Sequence, residues 1–359
     1  MMFRGVNRSQ WSLALISIVW WTVSSVVALE LGESCVNPAG QSGKCILFRE
    51  CEPLIDIYNK PIKTHEDTEF LTQSQCGMLQ WKSLVCCAAS SQRSSLPEPP
   101  HCGVPLFDRL LSGQPTQINE FPWTALIEFQ MYNGSFSFHC GGTLINERYV
   151  VTAAHCMMST RRLWKVHRVR LGEWNLAKVK DCQDGICSNA PIDMDIEKIV
   201  VHKYFLPCSD NKAHDIALIR FTRPVQYSET IRPICLPLSE SLRYHNHVGK
   251  KSYVAGWGKT ETDMASEKKM VVDLNIMRLQ KCESFHRVSL NATHMCAGGM
   301  LEHGTCVGDS GGPLMRQHES SWYLIGVNSF GPSNCGTAGV PSVYTKVAKY
   351  VDWIQDNIY

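Results

Sequence analysis

From Leu110 to the C-terminus, apolar residues come in short bursts. Trp123 to Phe129, Tyr149 to Thr152, Ser252 to Ala255 and Tyr323 to Ser329 are rich in β-branched and aromatic side chains and are bounded by turn formers. Such spacing predicts an all-β domain, a barrel or a sandwich. The last segment changes period. Val347, Val351, Ile354 and Ile358 recur at three- and four-residue intervals with Trp353 beside them, so Val347 to Ile358 is predicted to be a helix packed on the β domain.

The chain before Leu110 is patterned differently. Arg4 and Arg8 precede an apolar stretch from Trp11 to Trp21, and Ser24, Ser25 and Ala28 supply small residues for cleavage. Residues 1–28 are therefore expected to be a secretory signal peptide, with an uncleaved membrane anchor as the alternative. Residues 34–87 hold six cysteines but too little apolar sequence to support a core alone, which implies stapling by disulfides. The stretch AASSQRSSLPEPPH, residues 88–101, has no apolar period and reads as an extended, solvated connection. Two folded units follow from this layout: 34–87, then a segment 88–109, then 110–359.

Composition narrows the function. A net charge of +2 over 359 residues gives no basic field for a nucleic-acid backbone. Seventeen cysteines point to an oxidising compartment, hence to a secreted chain with no membrane association once mature. The six in 34–87 permit fifteen pairings and lack the paired Cys-x-x-Cys knuckles of a zinc site. Asn133-Gly134-Ser135 and Asn291-Ala292-Thr293 fit the acceptor pattern for N-glycosylation, at Asn133 and Asn291.

Three segments carry the chemistry: Thr152-Ala153-Ala154-His155-Cys156, Asp215-Ile216-Ala217-Leu218 and Gly308-Asp309-Ser310-Gly311-Gly312-Pro313. A serine hydroxyl is a poor nucleophile at neutral pH and needs a base, which in turn needs an orienting acid. In this order, and with Ala255-Gly256-Trp257-Gly258, the segments resemble the chymotrypsin family of serine proteases over residues 110–359. The resemblance implies a chymotrypsin-like double β-barrel and a serine endopeptidase with the triad His155, Asp215 and Ser310. The oxyanion hole would be the backbone N–H groups of Gly308 and Ser310, donors worth about 3 kcal/mol each in the transition state.

The same resemblance places a zymogen cleavage between Arg109 and Leu110, made by an upstream trypsin-like protease, after which the Leu110 amine pairs with Asp309 and orders the oxyanion loop. Leu110 and Ser112 depart from the family's usual Ile or Val and glycine at those positions. The resemblance further implies that the floor of the specificity pocket, six residues before the nucleophile, is Gly304, with Ser329, Gly331 and Ser342 as further pocket positions. A pocket without a carboxylate favours Phe, Tyr, Leu or Met over a desolvated cation. Glu302 is the one nearby source of charge for a trypsin-like alternative.

Residues 35–87, ending in adjacent Cys86 and Cys87, resemble the clip domain that precedes proteases of arthropod extracellular cascades. This implies the pairs Cys35–Cys86, Cys45–Cys76 and Cys51–Cys87. In the protease domain the family pairs are Cys102–Cys235, Cys140–Cys156, Cys282–Cys296 and Cys306–Cys335, with Cys182–Cys187 as the extra loop bridge of clip proteases. Cys208 is left over, either joined to another chain or buried, and burial is the favoured expectation. Chemistry requires no cofactor. Glu173, Asn175 and Asp181 form a candidate structural calcium site by resemblance, since a hard cation takes oxygen ligands. The expected partners are protein substrates, among them another zymogen, and a serpin-type inhibitor, in an innate immune or developmental cascade. The alternatives are a non-catalytic clip-protease cofactor, which the intact triad disfavours, and a digestive protease, which needs no clip domain.

Overall fold

The computed structural model describes residues 29–60, 63–88, 96–104, 114–158, 164–258, 266–298, 310–331 and 340–359. The chain divides into two compact units, residues 1–91 and 92–359.

In the first unit the strands β1 (Ser34–Val36), β2 (Ser42–Leu47), β3 (Gln75–Leu79) and β4 (Lys82–Ala88) form an antiparallel sheet in the order β1-β2-β4-β3. Two helices, α1 (Glu52–Tyr58) and α2 (His65–Gln73), separate β2 from β3. Thr64 starts α2 because its hydroxyl accepts from Asp67 N while Asp67 returns a bond to Thr64 N, which satisfies two otherwise orphaned donors. Few side chains are fully buried here, and disulfides hold the unit: Cys35 is joined to Cys86, Cys45 to Cys76 and Cys51 to Cys87.

The second unit is a pair of closed six-stranded antiparallel barrels. A short strand β5 (Gln114–Pro115) precedes β6 (Thr124–Gln130), β7 (Phe136–Leu144), β8 (Tyr149–Thr152), the single turn α3 (Ala154–Met157) and β9 (Lys165–Leu171). The two-residue strands β10 (Cys182–Gln183) and β11 (Ile186–Cys187) make a separate hairpin before β12 (Ile192–Val201) and β13 (Ala217–Phe221). The first barrel closes in the order β12-β13-β8-β7-β6-β9.

After α4 (Glu240–Arg243) come β14 (Lys251–Gly256), β15 (Met270–Met277), α5 (Leu279–His286) and β16 (His294–Gly298). The strands β17 (Pro313–His318), β18 (Ser321–Phe330) and β19 (Pro341–Lys346) complete the second barrel, closed by β14 against β15, with β5 added at β15. Aromatic side chains lock the two barrels together. Trp123 beside β6 donates its indole N–H to the Met315 sulfur of β17 at 2.8 Å, and Phe121, Trp123 and Trp322 pack ring against ring. Each such side chain stabilises the unit by about 1.5–3 kcal/mol through burial.

The four predicted strand runs lie in β6, β8, β14 and β18 within a residue or two of their ends. Three expectations are corrected. The C-terminal segment is not one helix: Val347–Lys349 is a 3-10 turn, Tyr350 leaves helical geometry (φ −122°, ψ 6°), and α6 runs Val351–Asn357. Tyr350 is held by its own hydroxyl, 3.0 Å from His214 Nδ1, while the predicted stripe still faces the core. The connection is not solvated throughout, because Leu96 packs on the core. Cys208 is exposed rather than buried and is the one free cysteine among the described residues. None of the helices in the described residues is long and apolar enough to cross a membrane.

Candidate active site

The β-branched run of β8 is buried at every position and delivers the chain into Ala153, Ala154 and the turn α3, which carries His155. A disulfide from Cys156 to Cys140 of β7 pins that turn to the barrel. Those two sulfurs surround His155 in a cluster resembling a metal site, but bonded to each other they offer no thiolate ligand.

Asp215 stands just before β13 and is fully buried. Its carboxylate takes three donors: His155 N at 2.8 Å on Oδ1, and His155 Nδ1 at 2.7 Å and Ser329 Oγ at 2.5 Å on Oδ2. Its own carbonyl accepts from Thr345 Oγ1 at 2.8 Å. Because a carboxylate only accepts, the proton on Nδ1 faces Asp215, and the lone pair of the neutral ring is left on Nε2. The imidazole is partly exposed, with 23% of its surface open, so Nε2 can take a proton from a hydroxyl beside it.

Ser310 sits at the seam between barrels. Its carbonyl accepts from Gly141 N of β7 at 2.9 Å and lies 3.4 Å from the Cys156 sulfur, so its backbone rests on the segment that carries His155. On the other side Gly311 N donates to Asn328 O at 2.8 Å, and Asn328 N donates to Gly312 O at 2.9 Å. Glycine is required at Gly311, where φ is +86° and a Cβ would collide with Thr152 Oγ1 and Gly141 O.

Of the pocket positions, Gly331 and Ser342 face each other, since a Cβ on Gly331 would lie 2.8 Å from Ser342 Oγ. Ser329 turns its hydroxyl to Asp215. Gly304, Gly308, Asp309, Arg109, Leu110, Glu302, the Cys306–Cys335 pair and residues 1–28 lie outside the described residues. The remaining bridges join Cys102 to Cys235, Cys182 to Cys187 and Cys282 to Cys296.

Sequence reasoning missed a group behind Asp215. His202 and His214 stack with ring centroids 4.8 Å apart and planes 4° from parallel, edge-on to Tyr350. Burial, with His214 beside it, lowers His202 to about 4. These residues come from distant positions with no shared motif, although the adjacency of His214 to Asp215 was a usable hint.

Glu173, Asn175 and Asp181 are all buried. Asp181 Oδ2 accepts from Trp174 N and Asn175 N at 3.1 and 3.2 Å, whereas its Oδ1 is buried without a hydrogen-bond partner. Burial and the neighbouring Asp181 raise Glu173 above the usual carboxylate range, against the pull of Arg170. Asn175 Oδ1 instead accepts from Ala177 N at 3.2 Å. The orphaned oxygen and the crowded carboxylates suit a hard cation held by Asp181 and Glu173. Asn133 lies in an exposed hairpin turn, and Asn291 is exposed before β16.

Residues 110–354 match the trypsin family model, and residues 35–87 match that of the regulatory CLIP domain of proteinases. The chain is 58% identical to CLIP domain-containing serine protease B4 of Anopheles gambiae, over 97% of this chain and 98% of that one. It is 35% identical to Melanization protease 1 of Drosophila melanogaster, over 95% of this chain and 98% of that one. The solved structure of the Drosophila Grass clip serine protease of the Toll pathway superposes with a TM-score of 0.66 at 29% identity, covering 91% of this chain and 97% of that one. The chain thus belongs to the clip-domain serine proteases of the trypsin family, and it is a serine endopeptidase.

Proposed function

We propose that the protein is a secreted zymogen of an extracellular cascade, activated by cleavage after Arg109, in which His155, Asp215 and Ser310 hydrolyse peptide bonds next to large apolar residues. The observation that carries the reading is the Nδ1 bond of His155 to the buried Asp215, which leaves Nε2 as the base on the side open to solvent. Ser310 Oγ gives its proton to Nε2 as it bonds to the substrate carbonyl carbon, and the N–H groups of Gly308 and Ser310 hold the resulting oxyanion. Collapse breaks the C–N bond, the amine leaving with the proton from Nε2. Water, deprotonated by the same nitrogen, then releases the acid and restores Ser310.

The reading of activation is supported by the match to the trypsin model beginning at residue 110: cleavage after Arg109 frees the Leu110 amine, which pairs with Asp309. Leaving one partner of a buried ion pair alone costs about 3–5 kcal/mol, enough to keep the uncut chain inactive. Because Cys102 is bonded to Cys235, the clip-bearing chain remains attached after cleavage until the bridge is reduced. Gly304 at the pocket floor supplies no counter-charge, and this favours apolar side chains. Asp181 and Glu173 hold a structural calcium, glycans are carried on Asn133 and Asn291, and the clip domain docks the enzyme to cascade partners. Those partners are a trypsin-like activator, a zymogen substrate and a serpin-type inhibitor, in a setting of the kind named for Melanization protease 1 and Grass.

Active-site phosphonylation tests the reading. Chain cut after Arg109 is expected to add one phosphonyl group on Ser310 from a fluorophosphonate, and the uncut chain none. Equal labelling of both forms would refute the zymogen, and labelling elsewhere would refute the triad.

A further inference from the structure

Outside the active site, the segment between α4 and β14 and the end of β19 enclose a cleft of about 400 Å³ with an unbalanced charge. Lys346 and Lys349 line it, together with His245 and His247. Arg316 of β17 stands behind the lining rather than in it, with Nη1 3.1 Å from His247 Nδ1. These groups feel one another: Arg316 and Lys346 both press on His247, and Lys349 presses on Lys346, which burial already destabilises as a cation. Among the described residues, Lys346, Lys349 and Arg316 have no carboxylate within ion-pair distance, although Lys346 is half-buried. The Nε2 atom of His245 is buried without a hydrogen-bond partner. Lys346 and Lys349 share this cleft at a cost in mutual repulsion.

Most of the remaining lining of the cleft is apolar, with Asn246 and His294 as polar exceptions. Ile276, Met277 and Leu279 contribute to its wall, and Tyr244 stands at its edge with 76% of its surface exposed. Fixed cations over an apolar trough with an open aromatic ring suit a ligand that combines permanent anions with C–H faces. An inorganic ion fills too little of the space, and a purely charged strand leaves the trough uncovered. We infer that this cleft binds a sulfated saccharide, its sulfates on Lys346 and Lys349 and a sugar ring on Tyr244. The site is separate from the catalytic seam, so it localises or presents the protease and takes no part in the reaction.

Calorimetric titration of the uncut full-length chain with a heparin tetrasaccharide tests the inference. Binding is expected to weaken about tenfold or more in K346Q/K349Q, through the loss of two charge-assisted contacts. It is expected to be unchanged in K165Q/K178Q, which removes the same net charge from the exposed Lys165 and Lys178. In the unaltered protein the tetrasaccharide is expected to raise Tm and its desulfated counterpart not to, a readout that stands even if a variant fails to fold. Equal loss in both double variants, or equal effects of the sulfated and desulfated sugars, would overturn the site. Phosphatidylserine vesicles that bind with the same Lys346 and Lys349 dependence, where the tetrasaccharide does not, would assign the cleft to a lipid surface and overturn the saccharide.

Discussion

The Ser329 hydroxyl donates to Asp215 Oδ2 across 2.5 Å, reaching from β18 of the second barrel to a carboxylate carried by the first. Asp215 therefore orients His155 by a position that both barrels hold. Ser329→Ala removes a hydrogen bond to a charged group, worth about 1.5–3 kcal/mol. We predict a fall in kcat of about ten- to a hundredfold with little change in KM, since the loss acts through the imidazole and not on substrate binding. A steady-state comparison that finds kcat within twofold would contradict this role.

Gly311 couples the nucleophile loop to the same seam. Its φ of +86° and its contact with Gly141 O and Thr152 Oγ1 admit no side chain without displacement. Gly311→Ala is predicted to cost about 1–3 kcal/mol in backbone strain and to displace Ser310, so that Tm falls and activity is lost together. A variant with the parent Tm and rate would show that the loop tolerates a Cβ.

Calcium is predicted to raise Tm in a concentration-dependent way, because it binds the folded loop and relieves the crowding of Glu173 by Asp181. Asp181→Asn is predicted to abolish the increment, with Asp193→Asn as a control. Thermal unfolding with calcium and with chelator distinguishes the outcomes, and an identical Tm in both would rule out the site.

Acid stability follows from the buried imidazole stack. His202 is lowered from 6.5 to about 4, so between those values the unfolded chain binds a proton that the folded chain does not. The contribution is complete above pH 6.5 and is lost as pH falls toward 4, which makes stability rise with pH in that window. His247 is lowered to about 4 as well and adds to the same limb. His202→Gln is therefore predicted to flatten the fall in Tm between pH 6.5 and 4 without removing it. An unchanged slope would show that the stack does not titrate this way.

The sequence was most informative where physics is local. Runs such as Tyr149 to Thr152 have one stable use, as buried strand, and β8 occupies those residues. The candidates His155 and Asp215 were legible because their motifs are short and contiguous, and the fold brings them together from distant positions. What was not legible depends on packing between distant segments. Ser329 lies where a pocket wall was expected, and whether its hydroxyl faces substrate or Asp215 depends on how the second barrel meets the first. Tyr350 interrupts the predicted helix, and its hydroxyl meets His214 from a distant part of the sequence. Cys208 is exposed in the turn between β12 and β13, which no spacing rule encodes.

The most direct test of the account is hydrolysis of Phe and Arg peptides by chain cut after Arg109 through an engineered site, with Ser310→Ala as the blank. The account predicts Ser310-dependent cleavage after Phe, strongly preferred over Arg. Cleavage preferring Arg would contradict the neutral pocket at Gly304, and hydrolysis that survives in Ser310→Ala, or none in the parent, would contradict the triad.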